Sequence, residues 1–215
     1  MKIALIGAGQ VGSALARGWA RSGHELLLGV RDPSNRTVQS LCQDTQARAL
    51  SPREAAEAAA VVVLALPWST AAAAVAALGP LAGTIVIDCM NPLAMREGVL
   101  VLERGFTRSA GEAVAAWLPE ARIVKTLNQV GAAVMADTRG FERPPVMFMA
   151  SDHADAKATV ARLLMDLGFE PLDAGGLLQS RYLEPYAMVW INQTLYQGKL
   201  SPWALAALTP APRSS

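Results

Sequence analysis

The stretch Ile6-Gly-Ala-Gly-Gln-Val-Gly12 constrains this chain more than any other part of it. It follows an apolar run, Lys2–Ile6, that reads as a buried strand. It precedes residues 10–22, where Val11, Ala14, Leu15, Ala16 and Trp19 recur at helical spacing. A glycine-rich turn between strand and helix, opening a βαβ unit of about thirty residues, is the signature of a dinucleotide site. Each glycine has its own task. Gly7 allows the sharp turn, Gly9 holds no side chain against a pyrophosphate, and Gly12 lets helix and strand pack closely. Gln10, Val11 and Gly12 open the helix, and its free N–H groups and positive dipole end suit phosphate. A tight turn with no ligand is the competing reading.

The rest of the chain repeats the alternation. Strands are predicted at 24–29, 47–50, 60–66, 84–89 and 122–126, with helices at 34–44, 52–59, 69–78 and 109–117 between them. Ser51-Pro52-Arg53-Glu54 supplies a cap, a first-turn proline and a glutamate three residues after the cap. Apolar strands alternating with helices predict a parallel sheet buried on both faces, an α/β Rossmann-type doubly wound fold. Residues 91–107 read as irregular. Beyond them come a strand at 146–150, a helix at about 153–167, a strand at 170–173 and one long helix over 177–197. The expected organisation is a dinucleotide-binding domain over 1–128, a small C-terminal α/β extension over 129–208 on the substrate side, and a disordered tail over 209–215.

The end of the second strand selects the dinucleotide. Arg31 arrives nineteen positions after Gly12, where an acidic residue would grip the ribose of NAD. Arginine with Ser34, Asn35 and Arg36 close by, which add hydroxyl and amide donors, suits a 2′-phosphate and favours NADP, while the adjacent Asp32 keeps NAD open. Ligands of open α/β sheets bind at the carboxyl ends of strands. Leu66 and Pro67, then Asn91, then Lys125 and Asn128 stand at those ends. Asn91 and Asn128 would fix a carboxamide or an acceptor, or serve only as turn residues. Lys125 would donate to a substrate oxygen or merely pair with a carboxylate. Trp68 is either a wall of the site or a core aromatic. Cys89, with no histidine near it in sequence, reads as a small buried hydrophobe. The scarcity of acids and bases suits hydride transfer between ring systems, which needs positioning and exclusion of water more than proton transfer.

Composition excludes some classes. Lys+Arg number 19 and Asp+Glu 18, so no charge excess calls for nucleic acid or an anionic membrane. The apolar stretch 58–87 is broken by Pro67, Gly79, Pro80 and Gly83, which argues against a membrane span. Cys42, Cys89, His24 and His153 are scattered, so no metal site is expected, and two lone cysteines suit a reducing cytoplasmic location.

The motifs IGAGQVGSALA, GVRDP, VVVLALPW, IDCMNPL, IVKTLNQVG and DAGGLLQSRYLEPYAMVWI, in that order, together resemble the family of coenzyme F420-dependent NADP oxidoreductases. The oxidoreductase domain of the STEAP metalloreductases is similar. The resemblance implies hydride transfer between NADP(H) and the deazaflavin F420, or from NADPH to a flavin such as FMN or FAD. It places Gly7, Gly9, Gln10, Val11 and Gly12 on the pyrophosphate, Arg31 on the 2′-phosphate, Leu66 and Pro67 beside the nicotinamide, and Asn91 and Asn128 near it. Ala8 and Gln10 replace a Thr and Asn common in the family loop, and Val30 stands where a Ser or Thr is common. Two other readings stay open: a reductase of a small carbonyl or imine, and a protein that senses NADP(H) without chemistry. The aromatic C-terminal region, with Tyr182, Tyr186, Met188, Trp190 and Trp203, predicts a homodimer.

Overall fold

The computed structural model describes residues 1–208 and 210; the expected disordered tail otherwise lies outside the described residues. Among the described residues ten strands run β1 Lys2–Ile6, β2 Glu25–Gly29, β3 Arg48–Leu50, β4 Val61–Leu64, β5 Ile85–Asp88, β6 Leu93–Arg96, β7 Val99–Leu102, β8 Arg122–Lys125, β9 Val146–Ala150 and β10 Glu170–Gly175. Eight α-helices run α1 Gln10–Arg21, α2 Arg36–Thr45, α3 Pro52–Glu57, α4 Trp68–Leu78, α5 Ala110–Trp117, α6 Ala132–Ala136, α7 Ala154–Asp166 and α8 Ser180–Leu195.

Eight strands form one sheet in the order β10-β9-β8-β5-β4-β1-β2-β3. From β3 to β8 all neighbours are parallel, which is the doubly wound order reversing direction beside β1. β9 joins β8 antiparallel through Lys125 and Ala150, and β10 continues parallel to β9. The C-terminal extension therefore lengthens the same sheet.

Strands β1, β2, β4, β5 and β8 are buried on both faces, because alternate residues serve opposite layers, while the edge strand β3 is only partly covered. Ile3 and Leu5 pack with Leu15, Trp19, Leu41 and Leu163 on one side. Ala4 and Ile6 pack with Ala55, Ala71, Val75 and Val114 on the other. Trp19 is fully enclosed, and its indole N–H donates to the Leu163 carbonyl at 2.9 Å. Ser51 and Glu54 form the expected capping box at the start of α3.

Two segments differ from expectation. Residues 91–107 contain the β6–β7 hairpin, closed by Glu97 and Gly98 at φ +50° and +79°. Two consecutive residues with positive φ make the tight turn whose twist suits paired strands. Residues 177–197 do not begin as a regular helix: a single 3₁₀ turn, Leu177–Gln179, precedes α8.

Candidate functional site

The parallel strands bring their carboxyl ends to one edge, and there a cavity of about 810 Å³ opens between the β1–α1 loop, the end of β2, the end of β4 and the face of α4. That volume is in the range of small-molecule sites.

The loop is built by backbone crowding. Gly7 has φ +102°, and a Cβ there would lie 2.5 Å from the Ala65 carbonyl oxygen. A Cβ at Gly12 would lie 2.0 Å from the Gly7 carbonyl oxygen. Both glycines are thus demanded by the protein's own packing. Gly9 is different: its φ is −73°, and a Cβ there would meet no protein atom within 4 Å. The space it leaves faces the cavity it lines. Nothing in the fold requires glycine at 9, and the space beside it is open to a ligand. Gly9 caps α1 without a side-chain hydrogen bond, and the first turn has no acidic residue. The first-turn N–H groups of Gln10, Val11 and Gly12 therefore stand with the positive end of the helix dipole next to Gly9. A pyrophosphate fits this arrangement.

At the end of β2, Arg31 lines the cavity, and among the described residues no carboxylate pairs with it. Asp32 lines it too, but accepts the Ser34 hydroxyl at 2.6 Å and the Ser34 N–H at 2.9 Å. Those bonds hold its carboxyl below the usual carboxylate range. Ser34 spends its hydroxyl on Asp32, and Arg36 opens α2 on the exposed surface; neither lines the cavity. Both were expected beside Arg31 on the dinucleotide; in this structure they stand outside the cavity lining. Asn35, which caps α2 by accepting the Thr37 N–H, and Thr37 both line it. On the far wall, Leu66 and Pro67 stand as expected. Ala73, Ala74 and Ala77 of α4 complete it, an alanine face readable in the sequence only as a low-bulk helix.

The ends of β4, β5 and β8 lie side by side, with Leu64, Asp88 and Lys125 in register. The Cys89 thiol donates to the Leu64 carbonyl at 3.0 Å, and burial pushes its pKa up to about 12, which removes it as a nucleophile. Asn91 and Asn128 clasp each other: Asn91 Nδ2 donates to the Asn128 carbonyl at 2.8 Å, and Asn128 Nδ2 donates to Asn91 Oδ1 at 3.0 Å. Asn128 also donates to the Leu183 carbonyl and accepts from Gln129 Nε2. Its amide is thereby fully engaged within the protein. Leu127, between β8 and the clasp, holds φ +58°, a left-handed conformation that costs a leucine energy and re-aims Asn128.

Lys125 takes the second of its two readings. It is fully buried, and its Nζ lies 3.0 Å from Asp88 Oδ2 and 3.0 Å from Glu184 Oε1 and donates to the Met90 carbonyl. Burial alone would lower its pKa, but the two carboxylates outweigh it and the pKa is raised. Direct donation to a substrate oxygen is corrected on that ground: all three protons have partners and no water reaches the ammonium. Asp88 and Glu184 were missed, because both lie far from Lys125 in sequence, Asp88 37 positions before it and Glu184 on the last helix; the visible trace was an acid closing an apolar strand. Trp68 is half-buried and stacks on Trp117 at 5.5 Å, with the Arg104 guanidinium 5.4 Å above it. It sits behind Pro67 and does not line the cavity.

Comparison with known proteins agrees with this geometry. The family described as NADP oxidoreductase, coenzyme F420-dependent, matches residues 2–92. A crystal structure from Arthrobacter sp. FB24, whose name proposes an F420-dependent NADP-reductase, is 33% identical with a TM-score of 0.83; the match covers 92% of this chain and 95% of that one. The chain belongs to the F420-dependent NADP oxidoreductase family. This NADP-dependent oxidoreductase is also 29% identical over 187 residues to the metalloreductase STEAP3 of Rattus norvegicus. That match covers 85% of the oxidoreductase but 36% of the rat protein, so the chain spans about a third of this curated relative. A reductive aminase of Aspergillus terreus shares the fold at 15% identity and a TM-score of 0.67, over 92% of this chain and 62% of that one.

Proposed function

We propose that this oxidoreductase transfers a hydride between NADP(H) and a deazaflavin of the F420 type, with a flavin as the alternative acceptor. The observation that carries this reading is the character of the strand ends beside Pro67: an amide clasp, a buried thiol and a locked ammonium. Such groups hold and shield; they do not exchange protons. A carbonyl or imine reductase needs a proton donor at the acceptor, whereas hydride exchange between two ring cofactors needs alignment and exclusion of water.

In this reading Gly7, Gly9 and the N–H groups of Gln10, Val11 and Gly12 bind the pyrophosphate. Arg31 pairs with the 2′-phosphate, and Asn35 and Thr37 add neutral donors. Leu66 and Pro67 form the wall beside the nicotinamide, with Asn91 at its edge. NADP(H) supplies the hydride; the chain's residues orient the ring and keep water out. Residues 129–208 form the acceptor side, next to residues 1–128. A homodimer through α8 and a cytoplasmic location belong to the same proposal. Tyr182, Val189 and Leu195 of α8 are more than half exposed, and both cysteines are free. No helix among the described residues is long and apolar enough to cross a membrane.

The test is anaerobic oxidation of NADPH followed by absorbance, with F420, FMN and FAD in parallel. Fast oxidation by F420 supports the deazaflavin reading, and fast oxidation by FMN or FAD alone moves the assignment to a flavin. NADPH binding without turnover by any of them refutes both acceptors.

A further inference from the structure

Lys125, Asp88 and Glu184 make a charged group with no exposure at all. Its parts come from three elements: Lys125 ends β8, Asp88 ends β5, and Glu184 projects from α8. Two carboxylates face one ammonium. The second negative charge is met by the N–H groups of Ala110 and Gly111, which donate to Glu184 at 2.9 and 3.1 Å from the first turn of α5. Burying ions in this way is a poor route to stability, since an apolar cluster of the same volume often serves as well. The group's remaining bonds show what it does instead.

β5 ends at Asp88, so Met90 has no strand neighbour for its backbone. The charged group takes over. Asp88 Oδ1 accepts the Met90 N–H at 2.9 Å, and the Met90 carbonyl accepts from Lys125 Nζ. The next residue is Asn91, held by Asn128. Met90, between strand end and clasp, is thus fixed at both its backbone N–H and its carbonyl.

We propose that Lys125, with Asp88 and Glu184, is a positioning device that fixes the Met90–Asn91 segment and, through the Asn91–Asn128 clasp, immobilises the nicotinamide ring for hydride transfer. This rests on the reading that the ring lies at the ends of β4, β5 and β8. Lys125 acts through Met90 and touches no reactant.

The experiment is a titration with NADPH that records affinity and the fluorescence lifetime of the bound reduced nicotinamide, which needs no acceptor. Lys125→Met is expected to leave the dissociation constant unchanged, because the phosphates bind elsewhere, while the lifetime falls back toward that of free NADPH. Asp88→Asn/Lys125→Met brings the group back to the net charge of the wild type, one negative, carried by Glu184 and met by the N–H groups of α5. Its melting temperature should recover relative to Lys125→Met, but its bound lifetime should stay short. If lifetime and melting temperature recover together, the group is merely structural and the proposal is overturned. Glu184→Gln keeps one acceptor oxygen for the two N–H groups of α5 and is the smaller change, the probe should Lys125→Met not fold. A bound lifetime equal to that of the wild type in a folded Glu184→Gln protein also overturns the proposal. A wild type that does not bind NADPH overturns the functional reading and the inference with it. A wild type that binds and immobilises the ring, with variants that do the same, overturns the inference alone.

Discussion

Replacing Gly9 with alanine separates what the fold requires from what the ligand requires. The added methyl meets no protein atom within 4 Å, and φ −73° suits alanine. Alanine is a poorer N-cap than glycine, a loss of about 0.5–1 kcal/mol. The stiffer unfolded chain returns about 0.4–1 kcal/mol. The melting temperature should therefore stay close to that of the wild type. The dinucleotide has no such tolerance. A methyl in the cradle pushes the pyrophosphate off the first-turn N–H groups, and losing one charge-assisted hydrogen bond costs about 2–3 kcal/mol. That is a weakening of roughly 30- to 150-fold in NADPH affinity. Gly12→Ala should show the opposite pattern: its methyl would stand 2.0 Å from the Gly7 carbonyl oxygen, so the loop or helix must move. Overpacking of this kind costs about 1–3 kcal/mol of stability. Thermal melting and NADPH fluorescence titration of both variants settle the matter. Unchanged affinity in Gly9→Ala, or a melting loss equal to that of Gly12→Ala, refutes the argument that position 9 is glycine for a guest.

Arg31→Ala should weaken NADPH by about 2–3 kcal/mol and leave NADH untouched, since only the phosphate pair is lost; equal losses in titrations of both would show that Arg31 does not read the 2′-phosphate. Iodoacetamide at pH 8 should leave Cys89 unmodified in the folded protein, because its buried thiol is pushed up to about 12; rapid labelling by mass spectrometry would contradict that. The paired hydrogen bonds from Arg181, at 2.7 and 2.9 Å, hold the Glu112 carboxyl below its ordinary 4.5. A depressed carboxylate adds stability above the unfolded pKa and loses it as pH falls through the folded one. Glu112→Gln should therefore flatten the fall in melting temperature below pH 4.5, and an unchanged acid limb would remove Glu112 from the account. Light scattering at micromolar concentration should give the mass of a dimer; a monomer would dismiss the exposed face of α8 as an interface.

The parts of the molecule legible in the sequence were those where one residue's chemistry dictates its own surroundings. Gly7 and Gly12 were readable because only glycine tolerates those backbone approaches, and the strand-helix alternation followed from burial on two faces. The β6–β7 hairpin was missed because its turn is Glu97-Gly98 rather than Asn-Gly, and glutamate rarely accepts φ +50°. Ser34, Asn35 and Arg36 were chosen for proximity in sequence to Arg31; the Ser34–Asp32 bond takes up the Ser34 hydroxyl, and Asn35 and Thr37 are the ones that line the cavity. Lys125 was found with two tasks open, and pairing with carboxylates was one of them. Its partners at 88 and 184 meet it only through the sheet register and the docking of α8, neither of which leaves a local mark.

The bonds from Ala110 and Gly111 to Glu184 have a consequence for hydrogen exchange. Orphan N–H groups at a helix start ordinarily exchange with solvent from the native state. Here two of them are shut in by a carboxylate belonging to another helix. Their deuterium uptake should follow the opening of α8 from the sheet, not the fraying of α5. Two amides in the middle of the chain thus serve as a label-free clock for the movement of its C-terminal helix.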